Sequence, residues 1–188
     1  MSRLEPTPGQ TVGPFFGYAL PYEGGAELVP AGGSDAIRVT GRVLDGAGAG
    51  VPDALLEIWQ PGPDGRRVQE QGSLHRNGWT FTGWGRAATD AEGVYSFTTI
   101  KPASAEPGQP AWFAVAVFAR GLLDRLLTRI YLPEDVGALQ ADPLLSSLPK
   151  KRRSTLIASS QRDGYHFDVR LQGDQETVFL RHGGTVQR

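Results

Sequence analysis

The chain has 188 residues, a formal net charge of −1 and no cysteine. The near-zero charge argues against nucleic acid or an anionic membrane as a partner, because no net field attracts a polyanion. The lack of cysteine excludes disulfides, zinc–thiolate sites, iron–sulfur clusters and cysteine nucleophiles. The N-terminus has no apolar signal core, and no stretch reaches the roughly 18 apolar residues of a membrane span, so we expect a cytoplasmic protein.

Glycine and proline divide the chain into short apolar segments. The 25 Gly and 14 Pro residues recur at turn-like intervals, a pattern typical of all-β domains. Residues 1–35 combine Pro-flanked aromatic clusters with two Gly-Gly pairs, which predicts an N-terminal arm without regular structure. The aromatic side chains of this arm need a surface to pack against, either on the chain's own domain or on a partner chain. Residues 36–188 form the predicted domain.

Alternation of apolar and polar residues indicates strands in the domain. At 37–43 and 165–171 every second residue is apolar, as in half-buried strands. The apolar run 111–119 predicts a strand buried on both faces. Further strands are predicted at 55–60, 94–100, 126–132 and 177–180, with at most a helical turn or two within 134–148. The pattern predicts an all-β sandwich, with a barrel as the second choice.

The polar residues do not reveal a catalytic constellation by themselves. The three histidines, His75, His166 and His182, lack the spacing of metal ligands. His166 falls on the polar face of a predicted strand, which favours a solvated side chain. The basic run at 150–153 is interpreted as a solvated turn or a rim contact. It does not indicate nucleic-acid binding, because no aromatic residues interleave it.

Three blocks of the sequence resemble, in order, the intradiol ring-cleavage dioxygenases. The first covers Val39–Val43, Pro52–Gln60 and Asp64–Gly65, the second Thr89–Pro102, and the third Phe118–Gly121 with Leu127–Leu132. The opening segment 7–15 and the closing segment 165–179 are similar to the metal-free α chains of hetero-oligomeric family members. The resemblance covers nearly the whole chain.

The family holds a non-haem ferric ion with two tyrosinates and two histidines, and hard phenolate oxygens suit Fe(III). The resemblance implies that this chain has lost all four ligands. Arg66 and Arg67 follow the first turn, the tyrosine-free segment 103–109 follows the second block, and Trp112 and Ala114 replace the two histidines. Arg67 would place a fixed positive charge where a trivalent cation should sit.

The resemblance also implies a partner, a substrate and a pocket. The partner is a homologous β chain that holds Fe(III), in an (αβ)n hetero-oligomer that opens protocatechuate with O2 to 3-carboxy-cis,cis-muconate. The N-terminal arm, residues 1–35, would contact this partner subunit. The active site would lie at the interface of the two chains. The residues that this chain would contribute to the pocket are Thr11, Gly13, Pro14, Phe15 and Arg129.

Each of these five residues has an expected role. Gly13 and Pro14 would let the backbone approach a planar ring, and Phe15 would supply an apolar wall. Thr11 is better suited to a turn than to direct contact. Arg129 lies in an apolar strand and needs an anionic partner, either the substrate or an acidic residue of this chain or of the β chain.

Two other functions remain open at this point. The chain could be a self-sufficient metalloenzyme with a different ligand set that includes His75 or His166. It could also be a free, transthyretin-like β-sandwich binding module, for adhesion or for carbohydrate.

Overall fold

A computed structural model describes residue 13, residues 16–68 and residues 76–181. In these residues two β-sheets pack face to face, which confirms the predicted all-β sandwich. The strands are β1 (Ala36–Leu44), β2 (Leu55–Trp59), β3 (Trp84–Ala88), β4 (Val94–Ile100), β5 (Trp112–Phe118), β6 (Leu126–Tyr131), β7 (Ser159–Gln161), β8 (Gly164–His166) and β9 (Val169–Arg170). The helices are α1 (Phe16–Ala19), α2 (Val136–Ala141), α3 (Pro143–Ser147), α4 (Lys150–Arg153) and a 3₁₀ turn (Ser154–Leu156).

The first sheet is built around β1. Its order is β4-β1-β8-β7, and β9 also pairs with β1. Strand β4 runs antiparallel to β1, whereas β8 and β9 run parallel to it. A Cβ atom at Gly41 would lie 1.8 Å from the carbonyl oxygen of Phe167, so this position in β1 requires glycine. The buried Tyr95 hydroxyl donates to the same carbonyl over 2.5 Å.

The second sheet has the order β3-β2-β5-β6 and is antiparallel throughout. Alternate residues of each strand face the first sheet and form the core. The inward residues of β5, which are Phe113, Val115 and Val117, are almost completely buried. They pack with residues of both sheets, among them Val39, Leu56, Ile58, Tyr95, Phe97, Ile130 and Val169. Burial of this apolar surface is the main stabilising contribution to the sandwich.

Several sequence expectations for the strands are wrong in detail. Strand β5 is not buried on both faces, because its outward residues, from Trp112 to Phe118, are half-exposed. Strand β3 was not predicted. The strand expected at 165–171 is interrupted between β8 and β9, and the strand expected at 177–180 makes a single bridge, from Leu180 to Leu127.

The helical region is longer than the turn or two expected, because two aspartates start separate helices. Asp135 accepts the N–H of Ala138 at 2.9 Å and begins α2, and Asp142 accepts the N–H of Leu145 at 2.8 Å and begins α3. The basic run 150–153 forms α4 and is not a solvated turn, since Arg152 and Arg153 are half-buried.

The described part of the arm lies against the sandwich of the same chain. It is not wholly irregular, because Phe16–Ala19 forms α1. Leu28 is buried in the core, and its N–H donates to the carbonyl of Thr98 on β4 over 2.8 Å. In the described ranges, no helix has the length and apolar character needed to cross a membrane.

Candidate functional site

A cavity of about 930 Å³ opens on the outer face of the second sheet, the face turned away from the core. The outward side chains of β2, β5 and β6 form its floor, because β-strands alternate their side chains between the two faces. The loops 61–68 and 103–110 and the start of α3 form its sides. The lining residues are Trp59, Gln60, Pro61, Arg67, Val68, Thr82, Ala103, Ser104, Ala105, Glu106, Gln109, Pro110, Trp112, Ala114, Arg129, Asp142, Pro143 and Leu144.

Arg129 lies in this cavity against an aromatic wall. Strand register pairs Ala114 with Arg129 and Trp112 with Tyr131, so the four side chains are neighbours on one face. The guanidinium carbon of Arg129 is 3.9 Å from the centre of the Trp112 ring, and Nη1 donates to the Tyr131 hydroxyl over 2.9 Å. No described carboxylate forms an ion pair with Arg129. An acidic partner inside the described fold, one of the options left open by the sequence, is therefore not observed.

A chain of hydrogen bonds from Arg129 through Tyr131 to Asp142 fixes the orientation of the guanidinium. The Tyr131 hydroxyl donates to Oδ1 of Asp142 over 3.2 Å, and the same oxygen caps α3. Burial raises the pKa of Tyr131 to about 12, although the neighbouring Arg129 lowers it, so the phenol stays protonated at neutral pH. The sequence reasoning missed both residues. The Asp-Pro pair at 142–143 is a helix-start signal that could have located Asp142.

The family model described as Dioxygenase (Dioxygenase_C) matches residues 13–173, which include all four strands of the cavity-bearing sheet. The chain belongs to the intradiol dioxygenase family.

Among curated proteins, this intradiol dioxygenase chain is similar in sequence to two kinds of subunit. It is 36% identical over 199 residues to the protocatechuate 3,4-dioxygenase alpha chain of Burkholderia cepacia, covering 96% of this chain and 99% of that protein. It is 37% identical over 163 residues to the beta chain from the same organism, covering 77% and 68%. The identities are nearly equal, but the alpha chain is matched over almost its full length.

A solved structure shows the same fold. The dioxygenase domain of a dioxygenase carbohydrate-binding protein fusion from Streptomyces sp. SirexAA-E superposes with a TM-score of 0.54 at 24% identity. The match covers 89% of this chain and 99% of that domain.

The cavity brings together the positions at which the family resemblance predicts iron ligands. Arg67, the segment 103–109, Trp112 and Ala114 all contribute to its walls. An indole, a methyl group and a guanidinium cannot coordinate Fe(III), and the nearby Tyr131 oxygen is protonated and already hydrogen-bonded. The described ranges contain no group of three or more His, Asp or Glu residues that could hold a metal. The segment 103–109 offers one carboxylate, that of Glu106, so the described residues at these positions do not supply the ligand set of a ferric ion.

The remaining candidate residues lie elsewhere. Nε2 of His166 is 3.1 Å from Oδ1 of Asp168, beside a separate cavity of about 500 Å³. Gly13 has a φ of 76°, a conformation that glycine adopts most readily, and is not among the described residues that line the cavity of Arg129. Thr11, Pro14, Phe15, His75 and His182 fall outside the described residues.

Beside the cavity, a groove of about 980 Å³ continues along the same sheet face. The two concavities share Trp59, Trp112, Ala114, Arg129, Pro143 and Leu144. The groove extends past Ala116 and Leu127, and Trp59 stays 48% exposed. Arg129 therefore lines both concavities, at the place where they join.

Proposed function

We propose that this chain is the α subunit of a protocatechuate 3,4-dioxygenase and assembles with a homologous β chain that holds the iron. One observation carries the proposal: a single cavity is lined by Arg67, Trp112 and Ala114, which stand at positions where the family resemblance predicts metal ligands. The full-length similarity to an alpha chain supports it, because the match to a beta chain is shorter. The proposal includes an (αβ)n assembly in the cytoplasm.

The proposed reaction joins protocatechuate and O2 to give 3-carboxy-cis,cis-muconate, with ring opening between the two hydroxyl-bearing carbons and no external reductant. The Fe(III) of the β chain would bind the catechol oxygens and activate the ring. This chain would supply walls of the shared pocket. The proposed wall residues are Thr11, Gly13, Pro14, Phe15 and Arg129.

Arg129 is the member of this set whose surroundings are described. Its guanidinium has no carboxylate partner among the described residues and lies beside the open groove. A cation at this point would lower the potential around an anionic substrate and favour its capture. We expect Arg129→Met in the assembled enzyme to lower kcat/KM by roughly tenfold to a hundredfold, with unchanged iron content. Unchanged kinetics would remove Arg129 from the shared pocket.

The assembly itself can be tested by co-production. This chain would be produced alone and also together with a homologue that retains the two tyrosines and two histidines of the family's iron site. The co-purified pair should contain stoichiometric iron and consume O2 with protocatechuate, whereas the lone chain should do neither. Stoichiometric iron in the lone chain would contradict the proposal and favour the self-sufficient metalloenzyme. A stable monomer that ignores its companion would favour the free binding module.

A further inference from the structure

The cavity on the second sheet has the size and lining of a small-molecule site. Its volume of about 930 Å³ is ample for a ligand of one or two rings. Two indoles, Trp59 and Trp112, and the apolar side chains of Pro61, Pro110 and Leu144 contribute to its walls. Such walls favour a flat, largely apolar ligand, because aromatic faces stack on indole rings.

The positive charge in this cavity is preorganised. Trp112 covers one face of the Arg129 guanidinium, and Tyr131 holds Nη1, which leaves other N–H groups of Arg129 without a carboxylate partner among the described residues. Arg67 contributes a second guanidinium to the lining, and it too lacks an ion pair within the described ranges. A fixed planar guanidinium recognises a carboxylate through paired N–H donors.

The acidic groups of the cavity do not neutralise this charge directly. Oδ1 of the buried Asp142 accepts the hydroxyl of Tyr131 and the N–H of Leu145. Glu106 is exposed. Neither carboxylate forms an ion pair with Arg129 or Arg67. The Arg129 guanidinium, which lies against the Trp112 ring, is thus available to bind an anionic ligand in the cavity.

We propose that this cavity binds a planar aromatic carboxylate, with the carboxylate on Arg129 and the ring against the indole walls. All of the walls named come from this chain, so the inference does not depend on iron or on a β chain. The apolar lining disfavours strongly hydrated anions such as phosphate, since burying them against indole and proline surfaces would cost desolvation free energy.

Benzoate is a suitable probe, because it has the ring and the carboxylate but lacks the two adjacent hydroxyls that chelate iron. Equilibrium dialysis would count the benzoate bound per copy of this chain, in the co-purified pair and in the lone chain. In both we expect one site supplied by this chain. Ala114→Leu should fill the cavity and weaken that site at least tenfold. Ala116→Leu is the matched control, on the same strand and face but outside the cavity lining, and should retain binding.

Ala114→Leu is tested in the lone chain, because Arg129 is also assigned to the pocket shared with the β chain and the lone chain has no such pocket. Benzoate that binds only in the shared pocket would be bound by the pair and not by the lone chain. If Ala114→Leu does not fold, Arg129→Met in the lone chain replaces it and should weaken binding by roughly tenfold to a hundredfold. Absence of a benzoate site in this chain, or binding that Ala114→Leu leaves unchanged, would overturn the inference. If co-production yields no dioxygenase but the lone chain still binds benzoate, the proposed function fails and the cavity site stands.

Discussion

Two arginines lie over tryptophan rings on the outer face of the second sheet, and their surroundings differ. The Arg86 guanidinium is 5.1 Å from the centre of the Trp84 ring on edge strand β3, and that of Arg129 is 3.9 Å from the Trp112 ring, near the opposite edge. Arg86 donates twice to Oε1 of Glu57, at 3.0 and 2.6 Å, and once to the carbonyl of Leu20 at 2.7 Å. Arg129 has a phenol for a partner and no described carboxylate.

At the Arg86 edge of the sheet, contacts among Tyr22, Arg76, Trp84 and Arg86 hold the arm against β3, and we call this group of residues the clasp. The Tyr22 ring stacks on Trp84 at 6.2 Å with an interplanar angle of 6°, and the guanidiniums of Arg76 and Arg86 are 5.7 and 5.9 Å from its centre. Arg76 also donates to the carbonyls of Gly24 and Trp84, at 3.2 and 2.9 Å. Arg86, over Trp84, has its charge paired within the chain by Glu57. Arg129, over Trp112, has no carboxylate partner among the described residues and lines a cavity. We infer that the Arg86 contact contributes to the stability of the fold, and that the Arg129 contact contributes to binding.

The largest expected effect that tests this comparison comes from Arg86→Met. The side chains of Arg86 and Glu57 are only 16% and 19% exposed, so the variant would leave a largely buried carboxylate without its partner. We expect the free energy of unfolding to fall by about 3 kcal/mol. Urea denaturation of the purified chain, alone or with its partner, would measure it.

Arg129→Met should lower the same free energy by less than about 1 kcal/mol, because no buried carboxylate loses a partner. Arg66→Met is a control for the loss of a surface charge, since its pair with Asp64 is 88% and 59% exposed and should contribute nothing measurable. Equal losses for Arg86→Met and Arg129→Met would remove the distinction between the two ends of the sheet.

A second effect, of up to roughly 2–3 kcal/mol, should appear at alkaline pH. The pKa of Tyr131 is raised to about 12 in the folded chain, whereas an unfolded tyrosine ionises near pH 10. Between these values the unfolded state releases the proton and the folded state keeps it. The free energy of unfolding therefore falls as pH rises from 10 to 12, and this contribution is fully present below pH 10.

Tyr131→Phe should make that decline less steep but not abolish it, because burial also raises the pKa of Tyr95 and Tyr165. Its stability at neutral pH will be lower because the bonds to Arg129 and Asp142 are lost. Urea unfolding at pH 9, 10, 11 and 12 would compare the slopes of the two proteins. The same slope in both would mean that Tyr131 does not titrate with a raised pKa.

The smallest effect concerns the clasp. Tyr22→Phe keeps the ring between two guanidiniums but removes the hydroxyl that accepts from Nη2 of Arg76 at 3.1 Å. We expect a loss of about 1 kcal/mol, the typical net contribution of one such hydrogen bond. Tyr22→Leu, which also removes the stacking on Trp84, should cost more. A Phe variant as unstable as the Leu variant would assign the whole effect to the hydroxyl.

The sequence predicted the strands whose two faces differ in polarity. In β1 and β4 apolar residues alternate with polar ones, so the periodicity located both strands. Strand β3 was missed because Trp84–Ala88 contains a glycine, an arginine and two alanines, which carry little strand preference. Strand β5 was assigned two buried faces because Trp112 and Ala114 are apolar, although they line an open concavity. An apolar functional surface and a core face cannot be told apart by composition.

Part of the candidate site was also accessible from the sequence. The family motifs indicated that Arg67, Trp112 and Ala114 belong to one place, and the cavity unites them. The motifs did not reveal the link from Arg129 through Tyr131 to Asp142, because it depends on strand register and on where α3 begins. Interactions across elements of this kind become visible only in three dimensions.

The topology of the first sheet has a consequence for biosynthesis. One edge of β1 pairs with β4, but the other waits for β8 and β9, and the bond from the Arg42 N–H to Asp168 spans 126 positions. A ribosome must therefore release nearly the whole described chain before this central strand is covered on both sides. Such distant parallel pairing forms slowly, and a bare strand edge invites association with other chains. Nascent copies truncated before Gly164 should aggregate, whereas chains that extend past Arg170 can complete the sheet.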